Sequence, residues 1–413
     1  MESHRHVFDF REHPMGLKQP ELPIELIGLI IAHLYDHADK ESVQACSLVC
    51  SAWNELCRRR LFRAAGIMYL FSGDPPQLSF LQFTPPHLYK YITDLTITWC
   101  TYELDIPTLP VEVLNQFPNI CSLHINASGV DPLPALFIQQ IMDLLSNSRV
   151  KLLDVSQFSF FMDASNLLPL LSQCSSTLEE LILFWCSISG SGAIPNPTHD
   201  SKAPLVVSLG ALRRLRLIVD DDLSKLSLSR LVLPNLEVLS CSWKGDHPPD
   251  ISRWGIVRLS ELILIAAARP SSSPRLGQTV RPSSLTITVQ QAPQLSYSSI
   301  IKWIADCILS LPFPNDLRRL NINIGIGPDI STDHYYPTFA EYEELHRALR
   351  PLCTDCTTKH ININFATSFA RSETHADFGK AKEAAVCRFR EAFAPPLEAN
   401  RQLTIDMTFN KPH

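Results

Sequence analysis

The stretch Leu178-Glu179-Glu180-Leu181-Ile182-Leu183 follows the pattern LxxLxL, with apolar residues at the first, fourth and sixth positions. The alternation over its last residues is typical of a short β-strand with one buried face. The pattern recurs, with Ile, Val or Cys replacing some leucines. Its other full copies begin at Ile92, Ile120, Val150, Leu212, Leu236, Leu259 and Leu317, and weaker copies surround Leu285, Ile361 and Leu403. This recurrence predicts an array of repeated structural units.

The spacing of the copies points to one kind of repeat. Successive copies are 23 to 42 residues apart, and most of these spacings lie in or near the period of about 20 to 29 residues that is typical of leucine-rich repeats. Two copies continue to Cys100 and Cys186, at a position where leucine-rich repeats carry Asn or Cys. We therefore expect an α/β fold over residues 85–409, an irregular leucine-rich-repeat solenoid of parallel strands with helices or loops on its convex side.

The segments between copies differ in character. Helical periodicity predicts helices over residues 298–311, 339–349 and 378–393, which would lie behind the last strands. Residues 187–204 and 268–284 are rich in Ser, Gly and Pro and are expected to form protruding loops.

The composition limits the classes of function. The chain has 413 residues, 45% of them hydrophobic, and a net charge of -6 from 36 basic and 42 acidic residues. Because no basic excess is available to hold a phosphate backbone, nucleic acid is not an expected partner. No apolar run reaches the roughly 18 residues needed to span a bilayer, and no secretory signal is recognisable at Met1. We expect an intracellular protein, in the cytoplasm or the nucleus, with reduced cysteines.

The N-terminal part has a different pattern. Residues 1–20 are polar and predict a disordered arm, residues 21–62 predict three short helices, and residues 63–84 are expected to connect them to the repeats. Asp39 or Ser42 is expected to cap the second helix. The third helix is expected to carry Leu48, Val49 and Trp53 on its buried side.

The helical segment resembles an F-box. The resemblance rests on Leu22-Pro23-Ile24-Glu25-Leu26, on Ser47-Leu48-Val49-Cys50 followed by Trp53, and on Arg60-Leu61-Phe62, in this order and spacing. Similarity to the F-box proteins of the large fungal families implies that the three helices bind a Skp-type adaptor, which carries them to a cullin-based ubiquitin ligase. The residues that the resemblance assigns to adaptor binding are Leu22, Pro23, Leu26, Ile30, Leu34, Leu48, Val49, Trp53 and Leu61.

The strand residues between the core leucines are candidates for binding a protein substrate. In a leucine-rich solenoid they face the concave side. Aromatic residues and arginine are common in interfaces, so this face is either a recognition surface or a sheet face that is merely hydrated. The candidate residues are Phe184, Arg214, Arg216, Arg319, Asn321, Asn323 and Asn362.

No catalytic pattern is present in the sequence. It lacks a P-loop, a Gly-x-Ser-x-Gly turn and a His-Glu-x-x-His helix. Cys353, Cys356 and His360 have the spacing of three metal ligands but no fourth, and Asp220-Asp221-Asp222 is expected to be a hydrated turn. We expect a protein that is not an enzyme and needs no cofactor or metal. It would select substrates for the ligase, or serve as a scaffold that binds the adaptor or a partner without promoting ubiquitination.

Overall fold

The computed structural model describes most of the chain in two compact units, residues 1–63 and 64–413. The described residues are 22–37, 39–70, 84–100, 116–127, 135–157, 159–161, 167–184, 186–189, 206–219, 230–243, 251–266, 280–290, 297–312, 316–326, 338–354, 360–367, 375–399 and 404–410. The predicted N-terminal arm, the Asp220 triplet and almost all of the two predicted loops lie outside these ranges. In the described part of the chain, no helix is both long enough and apolar enough to cross a bilayer.

The first unit contains three helices, α1 Ile24–Asp36, α2 Lys40–Cys46 and α3 Ser51–Leu61. The α2 helix begins after Asp39, whose side chain accepts a hydrogen bond from the backbone N–H of Ser42 at 3.0 Å. This is the N-cap that the sequence predicts. The last turn of α3 carries three arginines, where positive charge is favoured by the helix dipole.

The core of the helical unit is small. Its fully buried residues are Ile27, Ile31, Val43 and Cys57, and the partly buried residues packed on them are Leu34, Tyr35, Cys46, Trp53, Leu56 and Leu61. The expectation for Leu48 and Val49 was wrong, because both lie in the turn before α3 and are exposed. The α3 helix begins only after Cys50, whose extended backbone separates it from that turn.

The second unit is built on one parallel sheet of twelve strands, hydrogen-bonded in the order of the sequence. The strands are β1 Ala64–Leu70, β2 Asp94–Cys100, β3 Ser122–Ala127, β4 Leu152–Ser156, β5 Glu180–Phe184, β6 Arg214–Val219, β7 Val238–Trp243, β8 Glu261–Ala266, β9 Ser284–Val289, β10 Arg319–Ile326, β11 His360–Thr367 and β12 Thr404–Asn410. Each LxxLxL copy therefore supplies one strand, and the predicted α/β class with parallel strands is confirmed.

The strand β1 lies in the segment that the sequence analysis assigns to a connector. It pairs with β2 over its full length. Its inward residues Ala65 and Ile67 are buried, although Ala64, Ala65 and Gly66 give the strand none of the leucines that mark the other copies. The sheet thus begins before residue 85, where the solenoid was expected to start.

The register aligns equivalent positions of the repeats. Leu181 on β5 is opposite Leu215 on β6, and Leu215 is in turn opposite Leu239 on β7. Leu239 is opposite Leu262 on β8. These leucines are almost completely buried. The result is a continuous apolar row across the sheet, with a second such row through Leu183, Leu217, Cys241 and Leu264.

Helices form a second layer against the buried face of the sheet. They are α4 Ala135–Asn147, α5 Leu167–Gln173, α6 Tyr297–Leu309, α7 Phe339–Thr354 and α8 His375–Ala399. Side chains of all five belong to the same core cluster as the strand leucines. For example, Trp303 on α6 packs edge-to-face on Trp243 of β7, with ring centroids 6.0 Å apart. The last three helices lie where periodicity predicts helices: α6 ends two residues before the predicted segment does, and α7 and α8 contain their predicted segments and extend beyond them.

Two pairs of short parallel strands and two short 3-10 helices complete the second unit. Ser159–Phe161 pairs with Ser187–Ser189, and Val207–Ser208 pairs with Leu231–Val232. The 3-10 helices are Pro86–Tyr91 and Ile251–Arg253. Four of these elements, Ser187–Ser189, Val207–Ser208, Leu231–Val232 and Ile251–Arg253, lie in the connections between β5 and β8.

Truncating one leucine of the buried row tests the sheet. Leu239→Ala should lower the free energy of unfolding by about 2 to 5 kcal/mol, because Leu239 is fully buried between two neighbouring strands. Val257→Ala is the control and should change it by no more than about 0.5 kcal/mol, since Val257 is 62% exposed. Urea denaturation followed by circular dichroism measures both. Equal effects would contradict the assigned register.

Thiol reactivity provides a second test of the core. Burial raises the pKa of Cys174 to about 12 and also raises the pKa of Cys241, so neither thiol forms the reactive thiolate readily. Cys50 and Cys387 are exposed free thiols. In the native protein N-ethylmaleimide should label Cys50 and Cys387 first, as measured by peptide mass spectrometry, and should label Cys174 and Cys241 only on unfolding. Fast native labelling of Cys241 would be inconsistent with its position on β7.

Candidate interaction surfaces

The helical unit exposes many of its large apolar side chains. These are Leu22, Ile24, Leu26, Leu29, Ile30, Leu48 and Val49, and we call them the apolar face of the helical unit. On α1, Leu26, Leu29 and Ile30 follow helical spacing and lie on the opposite side from the buried Ile27 and Ile31. Leu48 is 85% exposed and Val49 is 64% exposed. Exposed apolar surface of this extent in a small unit indicates an interaction site.

The predicted adaptor-binding residues divide into two groups. Leu22, Pro23, Leu26, Ile30, Leu48 and Val49 are exposed. Leu34, Trp53 and Leu61 are partly buried and pack on the core of the helical unit. Ile24 and Leu29 were not predicted, although both belong to the apolar run that marks α1. The second group therefore serves the internal packing of the unit.

A pocket of about 400 Å³ opens among the three helices of this unit. Its lining includes Tyr35 from α1, Lys40 and Gln44 from α2, and Asn54 and Arg58 from α3. Leu61 and Phe62 add apolar surface to the lining, so the pocket is mixed in character and carries two cations.

In the second unit, the sheet presents one face that the helical layer does not cover. We call it the outer face, and it consists of the strand residues that alternate with the buried rows. Along β3, β4, β5, β8 and β9 these residues are partly exposed, while every second residue is buried. The outer face contains all seven residues proposed from the sequence for substrate binding. Because the strands are in register, the side chains of this face also form rows across the sheet.

The centre of the outer face is apolar. Its members are Ile182 and Phe184 on β5, Arg216 and Ile218 on β6, and Ile263 and Ile265 on β8, and we call this set the outer patch. The register places Ile182 opposite Arg216 and Phe184 opposite Ile218. Between β6 and β8, the outer positions of β7 are Ser240 and Ser242, which are only 9% and 8% exposed. The two serines at the middle of the patch are thus almost inaccessible to water.

Two arginines of β6 that the sequence treats alike differ in their partners. Arg214 Nη1 lies 3.7 Å from Glu180 Oε2, the residue directly opposite it on β5. Arg216 lies opposite Ile182 and makes no ion pair with any described residue. Both side chains are exposed. Arg216 is therefore the cation that remains available to a partner.

A second group of predicted residues lies further along the sheet. Asn321 donates to Thr286 Oγ1 at 3.3 Å, and Asn323 donates to Thr288 Oγ1 at 3.2 Å. The buried Oδ1 of Asn362 has no hydrogen-bond partner among the described residues. Four strand spacings separate β10, which carries Asn321 and Asn323, from β6, about 19 Å at the usual spacing. The predicted substrate-binding residues consequently form two separate sites, with Arg319 at the edge of the second.

A half-buried polar cluster lies beside the outer patch on β3 and β4. His124 Nδ1 donates to Asp154 Oδ2 at 3.2 Å, and Ser156 Oγ donates to Asp154 Oδ1 at 2.9 Å. The hydrogen bond to Asp154 raises the pKa of His124. Burial alone raises the pKa of Asp154, but the bonds from His124 and Ser156 and the attraction of Arg216 outweigh it, and the net pKa is lowered. Asp154 is therefore a carboxylate whose charge is already compensated.

Charged side chains also alternate just before the strands. Lys151 Nζ donates to Glu179 Oε1 at 2.7 Å, and Arg213 donates to Glu237 Oε1. The hydrogen bond between the first pair raises the pKa of Lys151 and lowers that of Glu179. The sequence analysis missed this row, although its four residues occupy the same position in successive repeats, two residues before the first core leucine of each strand. Such exposed pairs add little stability. Each of them joins equivalent positions of two neighbouring repeats, as the register of the strands requires.

The described residues contain no group of three or more potential ligands that could hold a metal ion. His360 begins β11, whereas Cys356 lies outside the described residues, so the predicted Cys-Cys-His group is described only in part. Cys186 is buried and its thiol donates to the carbonyl of Val155 at 3.3 Å, as expected for a core cysteine. The side chain of Cys100 lies outside the described part.

No protein-family model matches the chain, and no curated protein sequence matches it.

Replacing Asp154 tests the polar cluster. Asp154→Asn should lower the pKa of His124, because the carboxylate that favours the imidazolium is lost while burial of the ring remains. Nuclear magnetic resonance titration of ¹³C-labelled histidines measures this pKa. Asp94→Asn is the control and should lower it less, since Asp94 contributes the weakest attraction.

The same pair sets a pH dependence of stability. Because the pKa of His124 is raised on folding, the pair stabilises the protein fully below the ordinary histidine pKa, and this contribution disappears as the pH rises through the pKa of the folded state. The stability difference between wild type and Asp154→Asn should therefore shrink with rising pH. A difference that grows would contradict the assignment.

Proposed function

We propose that the chain is the substrate-recognition subunit of a Skp-cullin-F-box type ubiquitin ligase. In this proposal residues 21–62 are an F-box that binds a Skp-type adaptor, and the sheet unit is a leucine-rich-repeat domain that binds a protein substrate. The observation that carries it is the apolar face of the helical unit, because Leu22, Pro23, Leu26, Ile30, Leu48 and Val49 are exposed there at the positions that the F-box resemblance assigns to the adaptor.

The energetics of the helical unit support this assignment. Only four residues are fully buried in its core and six more pack on it partly buried, while the seven side chains of the apolar face stay largely exposed and gain little from folding alone. Full burial of one such side chain contributes about 1.5 to 3 kcal/mol. Docking several of them on a partner therefore supplies enough free energy for a stable complex, after the cost of association is subtracted.

The sheet unit contributes recognition and no chemistry in this proposal. Its outer face offers a largely apolar patch, an arginine without an ion pair among the described residues, and a row of amides, which is the mixture that protein interfaces use. A receptor accelerates ubiquitin transfer by holding a substrate lysine near the charged conjugating enzyme, which raises its effective concentration. It needs no cofactor or metal for this task.

Charge on the apolar face tests adaptor binding. The double substitution Leu48→Asp and Val49→Asp should abolish co-purification with a Skp-type adaptor, because two carboxylates would be buried in an apolar interface. Both side chains are already exposed, so the fold of the unit should survive. The control is Val257→Asp with Leu309→Asp, two residues of the sheet unit that are each 62% exposed. Pull-down and quantitative mass spectrometry measure the recovered adaptor.

The outcomes separate two functions. Recovery of adaptor and cullin by wild type and the control, but not by the Leu48 and Val49 variant, supports the receptor. Adaptor without cullin favours a scaffold that does not promote ubiquitination. Undiminished adaptor recovery with the Leu48 and Val49 variant would exclude the F-box assignment.

A further inference from the structure

The outer patch is bounded on both sides by polar residues. Towards β4 its neighbours are Asp154 and Ser156, and towards β9 they are Thr286 and Thr288. Four strands at the usual spacing span about 14 Å, and two outer positions along a strand span about 7 Å. This area fits one or two large side chains of a partner. An apolar centre inside a polar rim is the arrangement in which interface side chains contribute most binding energy.

The charge that this patch offers is positive. Arg216 lies among the apolar residues of the patch. Two carboxylates are near it, Glu180 on β5 and Asp154 on β4. Glu180 is engaged by Arg214 at 3.7 Å, and Asp154 accepts hydrogen bonds from His124 and Ser156. Asp154 is attracted by Arg216, but no ion pair between Arg216 and a described carboxylate is formed. The guanidinium keeps its donors for a ligand.

The side chains beside Arg216 limit what such a ligand can be. Ile182 lies directly opposite Arg216 on β5, and Ile218 lies two residues further along β6. On its other side Arg216 lies opposite the nearly buried Ser240 of β7. A group that binds Arg216 can therefore also contact apolar surface, next to which a hydrogen bond between charged groups is stronger than in water. A fully hydrated ion gains no binding free energy from the apolar neighbours. An anion attached to an apolar group gains binding free energy both from Arg216 and from these neighbours.

We propose that the outer patch binds an extended protein segment in which an Asp or Glu carboxylate stands two residues from a large apolar side chain, so that both side chains point to the same side. The carboxylate accepts hydrogen bonds from Arg216, and the apolar side chain packs on Ile182, Phe184 and Ile218. That the segment belongs to a substrate rests on the proposed function. The inference adds the chemical class of the substrate segment that the receptor selects. Arg214, held by Glu180, orients the neighbouring surface and is not the main anion ligand.

Synthetic peptides test this specificity directly. The probes are fluorescent Gly/Ser dodecapeptides, titrated against the full chain, in which residues 6 and 8 are the pair Phe-Glu, Phe-Lys, Ala-Glu or Phe-phosphoserine, with one serine between the two members of each pair. Fluorescence anisotropy should show Phe-Glu binding at least about tenfold tighter than Phe-Lys or Ala-Glu. The phosphoserine peptide distinguishes a phosphate from a carboxylate as the recognised anion.

Charge reversal assigns the binding to Arg216. Arg216→Glu should weaken Phe-Glu binding about tenfold or more, and it should improve binding of Phe-Lys. The matched control is Arg347→Glu, which makes the same change at an exposed arginine of α7, in the helical layer, and should leave both affinities unchanged.

Several results would overturn the inference. They are no binding of Phe-Glu to the wild type, equal binding of Phe-Glu and Phe-Lys, binding of the phosphoserine peptide alone, or an Arg216→Glu variant with unchanged affinity. Adaptor recovery from the same preparations keeps the two proposals apart. Adaptor binding without peptide selectivity removes only this inference, and peptide selectivity without adaptor binding removes only the F-box assignment.

Discussion

The alternation of side chains along paired parallel strands is the constraint on which the second unit depends. A strand that slipped by one residue against its neighbour would turn Leu215 and Leu217 to the outer face and bring Arg214 and Arg216 into the core. The cost of burying two guanidiniums fixes the register. Once this register is set, equivalent residues of successive repeats are aligned by necessity, and the buried rows and the outer rows arise together. The outer patch is thus a consequence of the same pairing that builds the core.

The strands of this sheet could be predicted because each carries two local signals at once, the alternation and the spacing to the next copy. The one strand that escaped prediction, β1, lacks the first signal, since Ala65 and Gly66 stand where other copies have larger or alternating residues. Its neighbour β2 nevertheless holds it in the sheet through backbone pairing. Helices α4 and α5 lie between copies, where the sequence predicts only a helix or a loop.

The candidate sites could be predicted in part. Helical spacing identifies the exposed side of α1, but it fails for Leu48 and Val49, because nothing in their apolar character reveals that the extended backbone of Cys50 delays the start of α3. The sequence also treats Arg214 and Arg216 as equivalent, since both flank Leu215. Their difference comes from the opposite strand, where Glu180 faces the first arginine and Ile182 the second. Aligning the repeats at their core leucines would have revealed this pairing.

The two units differ in how binding is related to folding. In the sheet unit the core residues and the outer residues are different members of each strand, so the outer face can change without loss of the apolar rows. In the helical unit Leu34, Trp53 and Leu61 pack on the core, although the F-box resemblance assigns them to the adaptor. Removing any of them would weaken a core with only four fully buried residues, so a lost interaction could reflect unfolding. Only the exposed residues, such as Leu48 and Val49, separate the two effects, and a change confined to them reports on docking alone.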